Sequence, residues 1–281
     1  MKKTFILVLT VLLIMNTVNA QTIDEAKKFI YYERFETAKN ILYAVIKNDN
    51  ASPDAWYWLS EIYLEENNID SARKILENKV SQLTADNASF KQHPLIFIGW
   101  SHLLLDSGLT LQARDQMVKI LEAGKYKDAE ALLAVARANI NSKNGDSLWA
   151  VELLRKAKLR NKKNEKIYTA LGDAYLKMID GSNAIKSYDQ ALQINPSFAQ
   201  AMFKKGLIYK TQKNVEIYLD RFSKALQTDS IYTPALYELY YYNYFRDVVK
   251  AKVFLTKFIA NSDPSPKHAY MIADLDYISK N

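Results

Sequence analysis

Three histidines, His93, His102 and His268, are the whole stock of imidazole in this 281-residue chain, and it has no cysteine. A transition-metal site draws on imidazole and thiolate at short spacing, as in HxxxH, HExxH or CxxC pairs. None occurs, so no metal centre is expected. The seven glycines (99, 108, 124, 145, 172, 181 and 206) never cluster into a phosphate-cradling loop, and there is no GxSxG or SxxK nucleophile motif. Neighbouring carboxylates such as Glu65 and Glu66 fall on polar helix faces, with no apolar pocket to drive their pKa values apart. The residue inventory therefore points away from catalysis and from any cofactor, and towards binding.

Two stretches carry binding chemistry. Between Arg155 and Lys166 stand seven cations (Arg155, Lys156, Lys158, Arg160, Lys162, Lys163 and Lys166) with only Glu165 against them. Such a run suits a polyanion such as an anionic glycan or lipid headgroups. It equally suits a solvated helix end, where cations favour the C-terminal dipole. The second stretch is Tyr237–Phe245, in which six of nine residues are aromatic. On a helix, Leu236, Leu239, Tyr240 and Asn243 face one way, whereas Tyr237, Tyr241, Tyr244 and Phe245 share another face. That second face is either a binding strip or core.

The elements that position these residues follow from an internal period. Gly172 and Gly206 are 34 residues apart, as are Tyr175 and Tyr209, Tyr188 and Phe222, Ala191 and Ala225, Ala157 and Ala191, Ala150 and Ala184, and Ala38 and Ala72. A repeat of that length is one helical hairpin, which buries its apolar face only by stacking on its neighbours. The clearest unit spans 165–198. Tyr168, Leu171 and Tyr175 recur at helical spacing on its first helix, with Gly172 where a facing helix comes close. Ala184, Tyr188 and Ala191 share one face of its second helix, and Pro196 stops the unit. In type, order and spacing, Tyr168, Leu171, Gly172, Tyr175, Ala184, Tyr188, Ala191 and Pro196 resemble the signature of the tetratricopeptide repeat.

The same pattern, less complete, divides the chain from residue 21 to 281 into hairpins at about 22–52, 53–86, 94–127, 129–164, 165–198, 199–232 and 233–265. A capping helix follows at 268–279. The step from Ala72 to Ala113 is 41 rather than 34, which places about seven extra residues around Asn87–His93. The expected fold is all-α, a right-handed superhelical solenoid of helix-turn-helix hairpins with a C-terminal cap. The resemblance implies that one face of each first helix lines a concave groove holding a protein or peptide. Carried onto this chain, that face comprises Tyr57, Glu61, Ile98, His102, Leu133, Arg137, Thr169, Asp173, Phe203 and Leu207. Tyr237, Tyr241, Tyr244 and Phe245 continue it. The Lys/Asn/Arg set by which part of the family grips chaperone tails is missing.

The first twenty residues read as a leader. Lys2 and Lys3 precede an apolar run from Phe5 to Met15, and Val18-Asn19-Ala20 supplies a small-residue cleavage site before Gln21. The run is about half the roughly 20 residues that span a bilayer. Cleavage, export to a bacterial periplasm and no stable membrane insertion are the expectation. From residue 21 onward the net charge is +5, divided into −3 over 21–140 and +8 over 141–281. Export makes nucleic acid an improbable partner. The sequence as a whole reads as a non-enzymatic scaffold or adaptor of the cell envelope, in envelope assembly or secretion. The alternative is a module binding glycan or peptidoglycan. No residue sets the oligomeric state.

Overall fold

A computed structural model describes residues 22–47 and 53–280. The leader at 1–20 and the cut at Gln21 lie outside the described residues. These form sixteen helices and no strand. Hairpin 1 pairs α1 (22–31) with α2 (Phe35–Lys47), and hairpin 2 pairs α3 (Asp54–Glu65) with α4 (Ile69–Val80). A short α5 (Asn87–Gln92) precedes hairpin 3, α6 (Pro94–Asp106) and α7 (Thr110–Ala123). Hairpins 4 to 7 are α8 (Ala129–Asn141) with α9 (Ser147–Arg160), α10 (Glu165–Lys177) with α11 (Gly181–Ile194), α12 (Ala199–Thr211) with α13 (Val215–Thr228), and α14 (Thr233–Asn243) with α15 (Val248–Asn261). The last helix, α16 (Pro266–Lys280), covers the end of hairpin 7. Each pair packs within itself and on the next, giving a right-handed superhelix.

The turn inside the hairpins is one motif used again and again. In hairpin 5, Asp180 N–H donates to Tyr175 O (2.8 Å) and Ile179 N–H to Leu176 O (2.9 Å), with Ile179 at φ 62°. That is a Schellman cap closed by a left-handed residue. Glu33, Asn67, Gly108 and Lys213 take the same conformation in hairpins 1, 2, 3 and 6. The next residue then caps the second helix. Asn68, Asp180 and Asn214 each accept a backbone N–H three residues on; in hairpin 7, Asp247 caps α15 in the same way without a left-handed residue before it. Hairpin 4 departs from this, because its turn is longer. Its Gly145 lies so close to α8 that a Cβ there would stand 2.1 Å from Asn139 O. Asn139 is buried and braces the turn, accepting from Asp146 N (3.0 Å).

Inside each unit a ring fills the gap that a small residue leaves. Tyr188 is fully buried, and a Cβ on Gly172 would lie 2.3 Å from its ring. The Tyr188 hydroxyl donates to Asp173 (2.7 Å). Ala184 and Ala191 are also fully buried, Tyr168 and Leu171 nearly so, and Pro196 is exposed just past the Asn195 cap. Tyr175, by contrast, is only half-buried and accepts from Arg155 (3.0 Å), so the wedge of this hairpin is Tyr188. The insertion at Asn87–His93 folds as α5, whose Phe90 meets Phe97 edge-on at 4.8 Å.

The superhelix completes a turn within this chain. The end of hairpin 1 rests on hairpins 6 and 7, about 200 residues away. Tyr31 lies 5.2 Å from the Tyr232 ring and 6.1 Å from Phe198. Tyr32 OH donates to Asp229 (3.0 Å) and Thr233 OH to Tyr32 O (2.5 Å). Asp263, itself buried, accepts from Thr37 N (2.7 Å), Thr37 OH (2.6 Å) and Arg34 Nε (3.1 Å). Burial raises the pKa of this carboxyl, but those donors outweigh it and hold it below its ordinary value.

Two outcomes test the packing. Tyr188→Ala should cost about 3–5 kcal/mol, as for other buried aromatics, and Gly172→Ala about 1–3 kcal/mol through overpacking. Tyr175→Ala should cost less than Tyr188→Ala; denaturant melts followed by circular dichroism measure all three. In the same assay Ile179→Gly should gain about 1 kcal/mol, because a β-branched residue is strained at positive φ.

Candidate functional site

The inner faces of the first helices enclose a cavity of about 690 Å³. Eight of the ten positions that the register assigns to the groove line it: Tyr57, Glu61, Leu133, Arg137, Thr169, Asp173, Phe203 and Leu207. Ile98 and His102 do not. Helix α6 is apolar on nearly every side and packs between α3 and α8, so both residues are buried behind the wall. Lys27 and Tyr31 of α1 also line the cavity. The 34-residue step points to them, since they precede Glu61 and Glu65 by one period. Trp58, Lys166 and Tyr232 complete the surprising part of the lining.

The wall mixes rings with charge. Tyr57 meets Trp58 edge-on at 5.1 Å, and Lys27 stands over the Trp58 ring at 5.2 Å. Trp58 Nε1 is buried without a hydrogen-bond partner. Burial, followed by the charge of Glu61, pushes the Tyr57 hydroxyl well above its ordinary pKa, so it stays a neutral donor. Asp173 is satisfied by Lys204, both oxygens at 2.8 Å, and by Tyr188. Arg137 and Lys166 have no carboxylate within ion-pair distance among the described residues. Lys166 is held below its ordinary pKa, first by desolvation and then by the like charge of Arg137. Glu130, also in the lining, acts on it in the opposite sense. Two uncommitted cations beside aromatic rings and an unpartnered N–H form a surface suited to carboxylates and peptide carbonyls.

The aromatic strip has a different setting. Tyr237, Tyr241, Tyr244 and Phe245 are not part of the cavity wall. Hairpin 1 docks on hairpin 6 and on the two ends of hairpin 7, at Thr233 and Asp263, so the wall closes before the strip. Tyr237 packs on Phe258 (5.8 Å) and Tyr244 edge-on to Tyr240 (5.6 Å), within the C-terminal core. Tyr241 and Phe245 are 65% and 88% exposed. The basic stretch is largely spent on bridging neighbouring repeats. Lys156 lies over Tyr126, Arg160 donates to Tyr126 O (3.2 Å), Lys158 lies over Tyr168 and reaches Gln190, and Arg155 holds Tyr175. Lys166 alone of the stretch faces the cavity.

Behind the wall, His102 Nδ1 is 2.9 Å from Glu61 and Nε2 is 3.7 Å from Asp106. Burial lowers the imidazole pKa, but the charge and hydrogen bond of Glu61, then Asp106 and Glu65, more than reverse this, and the net direction is up. A raised folded-state pKa contributes stability that is complete below the unfolded value of about 6.5 and is lost as pH rises through the folded value. The melting temperature should therefore fall on going from pH 6 towards alkaline pH. His102→Leu should remove that slope, as read by thermal melts at stepped pH.

Comparison with known proteins agrees with the repeat architecture. Residues 29–86 match one tetratricopeptide-repeat family model and residues 165–198 another. Among solved structures the chain is similar to that of Pseudomonas aeruginosa pilF, at 19% identity over 69% of this chain and 89% of that one, with a TM-score of 0.50. It is also similar to the C-terminal part of a TPR repeat-containing protein from Cytophaga hutchinsonii, at 17% identity over 89% and 98% of the two chains, TM-score 0.45. YrrB, described as a TPR protein with an unusual peptide-binding site, is 14% identical over 70% and 96%, TM-score 0.42. At 19% identity the likeness to pilF is one of fold alone. No described helix is long and apolar enough to cross a membrane. The family that the two stretches match is the tetratricopeptide repeat, and the hairpins between and beyond them share its architecture.

Proposed function

We propose that this chain is an exported, non-enzymatic scaffold of the bacterial cell envelope that holds an extended segment of a partner protein in its central cavity. The observation that carries the reading is the cavity wall. Six hairpins contribute to it, and it sets aromatic rings beside two cations and an indole N–H that no described residue satisfies. A satisfied protein interior leaves few such groups. An extended peptide supplies carbonyls for the indole and phenol donors, carboxylates for Arg137 and Lys166, and apolar side chains for Trp58 and Phe203. Export rests on the Lys2-Lys3, Phe5–Met15 and Val18-Asn19-Ala20 pattern.

Affinity capture from intact envelopes, read by mass spectrometry, is the direct test. Arg137→Glu and Trp58→Ala should each weaken partner capture roughly tenfold or more, as for central anchors of an interface, with the helical signal retained. Unchanged capture by both variants places the partner elsewhere on the superhelix. Binding to purified cell-wall polymer instead of protein supports the glycan reading. N-terminal sequencing of the native protein should return Gln21; recovery of chains still beginning at Met1 in the membrane pellet refutes cleavage.

A further inference from the structure

The contact between hairpin 1 and hairpins 6 and 7 is built differently from every other contact between hairpins. Elsewhere successive hairpins stack helix on helix around buried apolar cores. Across this seam the touching groups come from the end of α1, the turn after it and the first residues of α2. They meet the loops before α12, α14 and α16. Its apolar part sets Tyr31 and Tyr32 against Phe198, Ala199, Ala225, Tyr232 and Ala235. Its polar part is two carboxylates, Asp229 and Asp263, with the Thr233 hydroxyl on Tyr32 O.

The repeat itself marks those two residues. Positions 161, 195, 229 and 263 are 34 apart, each just past the second helix of hairpins 4, 5, 6 and 7. The first two are asparagine, and each serves its own loop: Asn161 accepts from Lys163 N and Asn195 from Ser197 N. The last two are aspartate; Asp229 keeps the loop bond, accepting from Ile231 N, and only these two are met by hairpin 1. An amide suffices for the loop. A charged acceptor is present where donors arrive from a distant repeat, and a bond to an ionised acceptor is about twice as strong as a neutral one.

We propose that this seam is a latch: hairpin 1 parts from hairpins 6 and 7 without unfolding, widening the cavity into a continuous groove, and Asp229 and Asp263 hold the closed state. Hairpin 1 keeps its own core with hairpin 2 when the seam parts, through Ala38, Leu42, Leu59 and Ile62, and it keeps the Lys39–Glu66 ion pair. With the seam closed, a partner reaches the cavity only through its open mouths; with the seam parted, an internal segment of a folded partner can also be laid in from the side. That consequence rests on the cavity being the partner site, but the latch does not.

The chain has no cysteine, so a pair of nitroxide labels at Asn40→Cys and Gln227→Cys, both exposed positions flanking the seam, reports its width by pulsed electron paramagnetic resonance. With the seam otherwise native, one narrow distance population is expected. Asp229→Asn with Asp263→Asn installs the residue of hairpins 4 and 5. It should lower the closed-to-open ratio roughly tenfold or more and add a longer, broader population, with helical circular dichroism unchanged. Tyr32→Phe with Arg34→Ala and Thr37→Ala, which removes every side-chain donor to the two carboxylates and leaves only Thr37 N–H, should do the same. A single narrow population in both variants overturns the latch, as does a broad distribution with the native seam. Loss of helical signal in both variants also overturns it, since opening is then unfolding. Failure of the cavity reading shows separately, as unchanged partner capture with the latch intact.

Discussion

Everything in this molecule depends on a ring pressed against a residue with little or no side chain. A single hairpin of two amphipathic helices cannot form a dry interior. It is stable only if its helices approach closely enough for rings to exclude water and for the next hairpin to cover the outer faces. Tyr188 over Gly172 and Phe222 over Gly206 set that approach in hairpins 5 and 6. Interhelical distance in turn sets the rotation from one hairpin to the next, and the accumulated rotation decides where the inner faces point. The cavity, its lining and the place where the chain meets itself are thus downstream of how a phenol or phenyl ring packs on a glycine.

Much of this was legible in the sequence because it is local and periodic. The 34-residue step, the small residues at Ala184, Ala191 and Gly172 and the stop after Asn195 each follow from forces acting within one hairpin. The inner-face register was legible for the same reason, and eight of its ten positions stand on the cavity wall. It misplaced Ile98 and His102 because groove position was inferred from register alone. Helix α6 reads Pro-Leu-Ile-Phe-Ile-Gly-Trp, apolar on nearly all sides, and such a helix goes to the interior whatever its register. Helical spacing puts Tyr168, Tyr175 and Tyr188 on packed faces alike, but it does not say which ring fills the Gly172 gap; that ring is Tyr188.

The closure was not legible, because it joins residues about 200 apart whose meeting depends on the sum of six small rotations. No pattern around Tyr32 or Thr37 announces a partner at Asp229 or Asp263. The setting of the aromatic strip follows from that same sum. Tyr237 and Tyr241 continue the register of Phe203 and Leu207 by one period, yet the wall is already complete at hairpin 6. Tyr237 and Tyr244 are drawn into the C-terminal core, while Tyr241 and Phe245 stay at the surface.

Closure also changes how the molecule should come apart. An open solenoid is a one-dimensional array with two free ends, and its end units, having one neighbour each, fray first. Here the first unit touches the sixth and seventh, which gives the array a periodic boundary. Fraying of hairpin 1 then carries a second interfacial penalty that no open array has, and the weak point moves to α16, which packs on α15 beyond the seam. Protection against hydrogen exchange should therefore run asymmetrically along the chain, higher at its described beginning than at its end.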